Sequence, residues 1–267
     1  MDAASENGDT LGLMGDSSGG NVVLSLGFWA VQNYNELALP QMQQHQQKKP
    51  HAFSTAHSPN ADDDGTKETQ RTRTNNNFPL TSLISISGPT DLTHSNPKIR
   101  KANKLNCVLT AQMARQVAEI WTGTAGTTGN GNDNDNDNAN RKARKDQDQQ
   151  QPSSSHNPGL IPLSDPCVSP LLNADTAFHA LRARNVHVHG VLGTHDVLAP
   201  DGLEFMRKCQ RLGVSGRWLV WKGQMHCFPL AGGGSGGRLG IRKGTEGRDF
   251  LVSVLCRDYE RENSGEI

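Results

Sequence analysis

Three short stretches carry residue types that can do nucleophilic chemistry. Ser17 stands among glycines in Gly15-Asp16-Ser17-Ser18-Gly19-Gly20. Asp196 lies in Gly193-Thr194-His195-Asp196-Val197-Leu198, and His226 in Gly223-Gln224-Met225-His226-Cys227-Phe228. A serine hydroxyl is a poor nucleophile until an imidazole takes its proton, and a carboxylate holds that imidazole in the required tautomer. Serine, acid and histidine in that chain order accompany a G-x-S-x-G turn between a strand and a helix. The serine of such a turn is expected in a strained conformation that lifts its hydroxyl clear of the sheet. Gly15 and Gly19 are expected there because a Cβ at either place would clash with the facing strand or helix. The helix after the turn aims its free N–H groups, beginning with that of Ser18, at the place where an oxyanion would form.

Other residues compete for these roles. Asp201 is five residues beyond Asp196, but it falls inside the helix that Pro200 opens. His195 adjoins the acid in sequence and is badly placed to bridge it to Ser17. Asp16 reads as a structural carboxylate beside the turn. Ser17, Asp196 and His226 are therefore the preferred set.

The elements that must hold them follow from periodicity. Leu11–Met14 is a short apolar run entering the turn, and Asn21–Leu37 is a helix so apolar (Val22, Val23, Leu24, Leu26, Phe28, Trp29, Val31) that burial on most faces is expected. Leu80–Gly88 reads as a strand ending at Gly88-Pro89. Leu109, Met113, Val117 and Ile120 recur at helical spacing, with Trp121 closing the apolar face. Val186–Leu192 is a strand with two alternate histidines, His187 and His189, on one side; packed, hydrogen-bonded histidines are favoured over a metal pair because no third ligand is evident. Pro200 opens a helix that closes at Gly213. Arg217–Trp221 is a further strand, Ala231–Gly240 a glycine-rich linker, and Phe250 to Tyr259 an amphipathic helix. Strand and helix alternate, so the class is α/β with a mainly parallel sheet. Ser17, Asp196 and His226 each fall just after a strand, where active groups of such sheets lie.

Two tracts break this pattern. Residues 40–77 and 123–158, rich in Gln, Asn, Asp and Lys, cannot bury enough apolar surface to offset their ordering entropy and are expected to be disordered insertions in one domain spanning 1–267. They account for the mean hydropathy of -0.63. The alternating Asn/Asp run at 132–138 lacks the glycine and distal glutamate of a calcium loop. Lys and Arg number 27, as do Asp and Glu, so the balance offers no reason to expect nucleic acid as a partner. Five scattered cysteines without C-x-x-C pairing suggest buried free thiols in a reducing compartment, not a disulfide or zinc framework. The N-terminus has no secretory signal and no stretch suits a membrane span, so a cytoplasmic location is expected.

With these blocks assembled, the chain resembles the hormone-sensitive-lipase branch of the α/β-hydrolases. Gly15–Gly20 matches that branch's G-D-S-A-G-G block except at Ser18; Gly193–Leu198 resembles its acid block, Gly223–Phe228 its histidine block, and Ser169-Pro170-Leu171 its S-P-L segment. The resemblance implies a carboxylic-ester hydrolase of the serine type, acting through an acyl-enzyme on a small-molecule ester, with no metal or organic cofactor. It also implies an N-terminally truncated member, because the early strands and an H-G-G-G oxyanion loop would precede Gly15 and no H-G-G-G occurs in these 267 residues. Ser18 would then supply one oxyanion donor where the branch has several. Three readings stay open: an active esterase, a catalytically dead fragment of one, and a non-enzymatic protein that binds through its Gln/Asn-rich loops. Apolar surface left uncovered by the missing strands would favour self-association.

Overall fold

The computed structural model describes residues 10–46, 78–125, 160–231 and 242–264. Four strands, β1 (Leu11–Asp16), β2 (Leu80–Ile86), β3 (His187–Gly193) and β4 (Trp218–Trp221), pair in parallel in the order β1-β2-β3-β4. Parallel neighbours need crossover connections. The helices are α1 (Ser18–Gln46), α2 (Ile99–Asn103), α3 (Ala111–Trp121), α4 (Asp175–Ala183), α5 (Ala199–Arg211) and α6 (Arg242–Ser264).

β2 is buried along almost its whole length, as expected of a central strand covered on both faces. Its period of two sorts the core. Leu83, with Val188 of β3, packs against Val23, Leu24 and Phe28 of α1, Phe178 of α4 and Phe205 of α5. Ile84 and Ile86, with Val191 of β3, pack against Phe228 and against Leu251 and Val254 of α6. The sheet therefore lies between α1, α4 and α5 on one face and α6 on the other. Phe28 centres the larger layer, its ring edge-on to Phe178 at 4.8 Å and to Phe205 at 6.2 Å.

Several boundaries differ from the sequence reading. α1 continues to Gln46, past Pro40 where an insertion is expected to begin. Residues 47–77 and 126–158, the rest of the two expected insertions, lie outside the described residues. The α1 face carrying Val22, Leu26 and Trp29 is exposed, not buried. In α3 the small Ala114 and Ala118 face inward, while Met113, Val117, Ile120 and Trp121 stay exposed. α6 begins at Arg242, eight residues before the expected apolar run. Of the free thiols only Cys209 is buried; Cys107, Cys167 and Cys256 are exposed.

Candidate functional site

β1 and β2 end level, Asp16 opposite Ile86, and Ile86 lies opposite Val191 of β3, which runs on to Gly193. Ser17 follows β1 directly and takes a left-handed φ of 49°, a conformation a serine holds only when its surroundings impose it. Its N–H donates to the carbonyl of Ile86 at 2.9 Å, while its own carbonyl accepts from Gly20 at 3.0 Å as α1 begins. The turn is as tight as expected at Gly15, where a Cβ would sit 2.3 Å from the Gly19 carbonyl oxygen. Gly19 differs: a Cβ there would meet nothing within 4 Å. The second close approach falls instead on Gly20, whose Cβ would lie 2.7 Å from Ser85 Oγ and 3.1 Å from the Gly88 Cα.

Asp196 is fully buried beyond β3. One carboxylate oxygen accepts from the Leu198 N–H at 3.0 Å; the other lies 2.9 Å from His226 Nδ1. His226 Nε2 is 3.0 Å from Ser17 Oγ. The three preferred residues thus join in one chain of two hydrogen bonds, across 209 sequence positions at the second. Burial by itself pulls the imidazole pKa down, but the Asp196 hydrogen bond and charge, with the adjoining Cys227, raise it above the usual histidine value.

The competing residues take other places. His195 contributes its backbone N–H to the Gln224 carbonyl at 2.9 Å, and Asp16 is exposed. Asp201 is buried in the first turn of α5, its carboxylate 4.0 Å from His94 Nδ1 and both oxygens without a hydrogen-bond partner among the described residues. Burial, and then the charge of Asp91, push its pKa up to about 7.

A cavity of about 280 Å³ opens beside Ser17 and Ser18, walled by Leu92, Leu109, Val117, Trp121 and Leu198. Of the α3 side chains that periodicity assigned to a core face, Val117 and Trp121 line this cavity, whereas Met113 and Ile120 do not. Its walls are apolar, suited to a hydrocarbon group held next to the serine hydroxyl.

The described residues include one grouping with metal-ligand chemistry: His187, His189 and Asp258, whose ligand atoms lie within 4.8 Å of one another. His189 Nδ1 accepts the Arg217 N–H at 3.0 Å, so the proton of the neutral ring sits on Nε2, which lies 2.9 Å from Asp258 Oδ2. Ser82 also donates to that carboxylate. Both ring nitrogens are engaged, and a cation could use His189 only by replacing the Nε2 proton that faces Asp258. Ser82 and His189 thus tie Asp258 of α6 to β2 and β3.

No protein-family model matches the sequence, and no curated protein matches it. Solved structures do. A protein described as a candidate esterase from Staphylococcus aureus superposes with a TM-score of 0.55 at 16% identity, covering 95% of this chain and 55% of its own. A fungal esterase from Rhizomucor miehei superposes at 0.54 and 12% identity, covering 97% and 56%. The likeness is one of fold: the chain has part of the α/β-hydrolase fold. It spans about 55% of the length of these neighbours.

Proposed function

We propose that this chain carries the nucleophile, acid and base of a serine-type carboxylic-ester hydrolase related to the hormone-sensitive-lipase branch. The observation behind the reading is the run of contacts from Asp196 through His226 to Ser17, 2.9 Å and 3.0 Å long. Ser17 Oγ attacks the ester carbonyl carbon while His226 Nε2 takes the hydroxyl proton. That proton passes to the departing alcohol as the carbonyl reforms, leaving an acyl group on Ser17. Water, deprotonated by the same nitrogen, then releases the carboxylic acid. Asp196 keeps the proton of His226 on Nδ1 and stabilises the imidazolium. The apolar cavity holds one hydrocarbon portion of the ester.

Ser18 opens α1, and the first N–H groups of a helix have no acceptor within it, so one donor faces the reacting carbonyl. The loss of one such donor costs roughly a hundred- to a thousandfold in rate. The expected behaviour is therefore a serine more nucleophilic than a surface hydroxyl, with slow turnover.

A fluorophosphonate probe tests this, because it bonds covalently to an activated serine without needing turnover. Labelling should be measurable, absent in Ser17→Ala and reduced in His226→Ala, with little hydrolysis of a short-chain aryl ester. A folded chain that takes no label would leave the non-catalytic reading standing.

A further inference from the structure

The base comes from the wrong side of the sheet. His226 follows β4, yet its partner follows β1, two strands beyond β3, so the loop after β4 must run back across the sheet. Its hydrogen bonds trace the crossing. The Gly223 N–H donates to Thr194 Oγ1 at 2.9 Å, and the His195 N–H to the Gln224 carbonyl at 2.9 Å, both at the end of β3. There the loop passes so close that a Cβ on Gly193 would lie 2.4 Å from the Gln224 carbonyl oxygen. The crossing ends on β2, where the Cys227 N–H donates to Ser87 Oγ at 3.1 Å and Cys227 Sγ lies 3.7 Å from the Ile86 carbonyl oxygen.

Ile86 and Ser87 therefore hold both sides of the Ser17–His226 contact. The Ile86 carbonyl receives the Ser17 N–H, and the Ser87 hydroxyl receives the N–H of the residue next to His226. Ser87 is fully buried, and its N–H is tied to the Val191 carbonyl at 2.9 Å. Ser17, Ser87 and Cys227 all take left-handed φ values, 49°, 52° and 48°. Non-glycine residues seldom do so, and here three meet at one point.

We propose that Ser87 is a positioning residue for His226: its buried hydroxyl, at the end of the strand that also holds the Ser17 backbone, sets the distance between base and nucleophile. The chemistry it serves rests on the hydrolase reading, whereas the placement of the imidazole does not. Ser87→Gly separates the two contributions of the residue. Glycine accepts the left-handed conformation without strain but offers no acceptor to Cys227. A residue needed only for its backbone shape would tolerate glycine. A positioning hydroxyl would not, and the loss of one hydrogen bond sets the scale at about tenfold.

The experiment follows the His226 imidazole by nitrogen-detected NMR through a pH titration, alongside fluorophosphonate labelling of Ser17, in the full chain and in Ser87→Gly. The expected result is a His226 titration displaced toward the ordinary histidine value and labelling about tenfold slower. Ser87→Cys, which keeps the side-chain shape with a weak acceptor, carries the same comparison if the glycine variant does not fold. A His226 titration unchanged from that of the unaltered chain overturns the proposal. If the unaltered chain takes no label, the hydrolase reading fails, and the titration alone still decides the role of Ser87.

Discussion

At the scale of single residues the site rests on protonation. His226 can accept the Ser17 proton only when its Nε2 is free, and its pKa is raised above 6.5. The imidazolium therefore persists to higher pH than usual, and labelling of Ser17 should rise with pH along a limb whose midpoint lies above 6.5. Asp196→Asn removes the charge responsible, so that midpoint should move down while the maximal rate falls at least about a hundredfold. Labelling rates measured across pH in both proteins check the two parts; a wild-type midpoint at or below 6.5 contradicts this account. Asp201 gives a stability counterpart with the opposite consequence. Its folded pKa is raised from 3.8 to about 7, so the native state keeps a proton that the unfolded chain has lost. Stability should fall as pH rises through that window, with a slope of up to about 1.4 kcal/mol per pH unit from this one group. Asp201→Asn should flatten the fall, and urea titrations at several pH values would measure it.

At the scale of elements, the turn between β1 and α1 separates a glycine that is needed from one that is not. Gly15→Ala drives a methyl group against the backbone of Gly19 and Gly20, where no rotamer can relieve it. A loss of about 2 kcal/mol or more is expected, together with displaced Ser17 and lost labelling. Gly19→Ala places its methyl group in open space, near the start of a helix, where alanine is favoured over glycine by roughly 0.5–1 kcal/mol. It should be neutral or slightly stabilising and should keep the label. Thermal melts and probe labelling of the two variants make the comparison directly. Equal damage from both would show that the turn is crowded in a way these contacts do not describe.

At the scale of the whole molecule, the unusual feature is a side left uncovered among the described residues. Val22, Leu26 and Trp29 recur at positions 0, +4 and +7 of α1, and each remains more than 40% exposed. Beside them β1 is an edge strand of the described sheet, with Met14 exposed as well. An apolar stripe next to an open strand edge favours pairing between molecules. The chain is expected to associate with itself, with sedimentation giving a mass above 28.9 kDa that rises with concentration. Leu26→Glu with Trp29→Lys should shift the distribution back toward monomer. A single species of monomer mass at every concentration would show that this face needs no cover.

The sequence by itself determined what is local. The glycine-flanked Ser17 marks a strand-to-helix turn because the turn's geometry is set within a few residues. The apolar runs in Leu80–Gly88 and Val186–Leu192 mark strands, and their alternation with helical patterns marks a mainly parallel sheet. The order of serine, acid and histidine followed from those placements, since each residue comes just after a strand. Tertiary structure decided whatever depends on distances between remote segments. Gly20, not Gly19, faces the neighbouring strand end, a fact set by Ser85 and Gly88 more than sixty residues away. The apolar face of α3 reads like core, yet only the packed chain reveals that Val117 and Trp121 border a cavity beside Ser17. Ser87 carries no motif at all. Its place is set by a loop 140 residues later that must cross two strands to bring His226 to Ser17, and nothing in the composition or periodicity around residue 87 encodes that crossing.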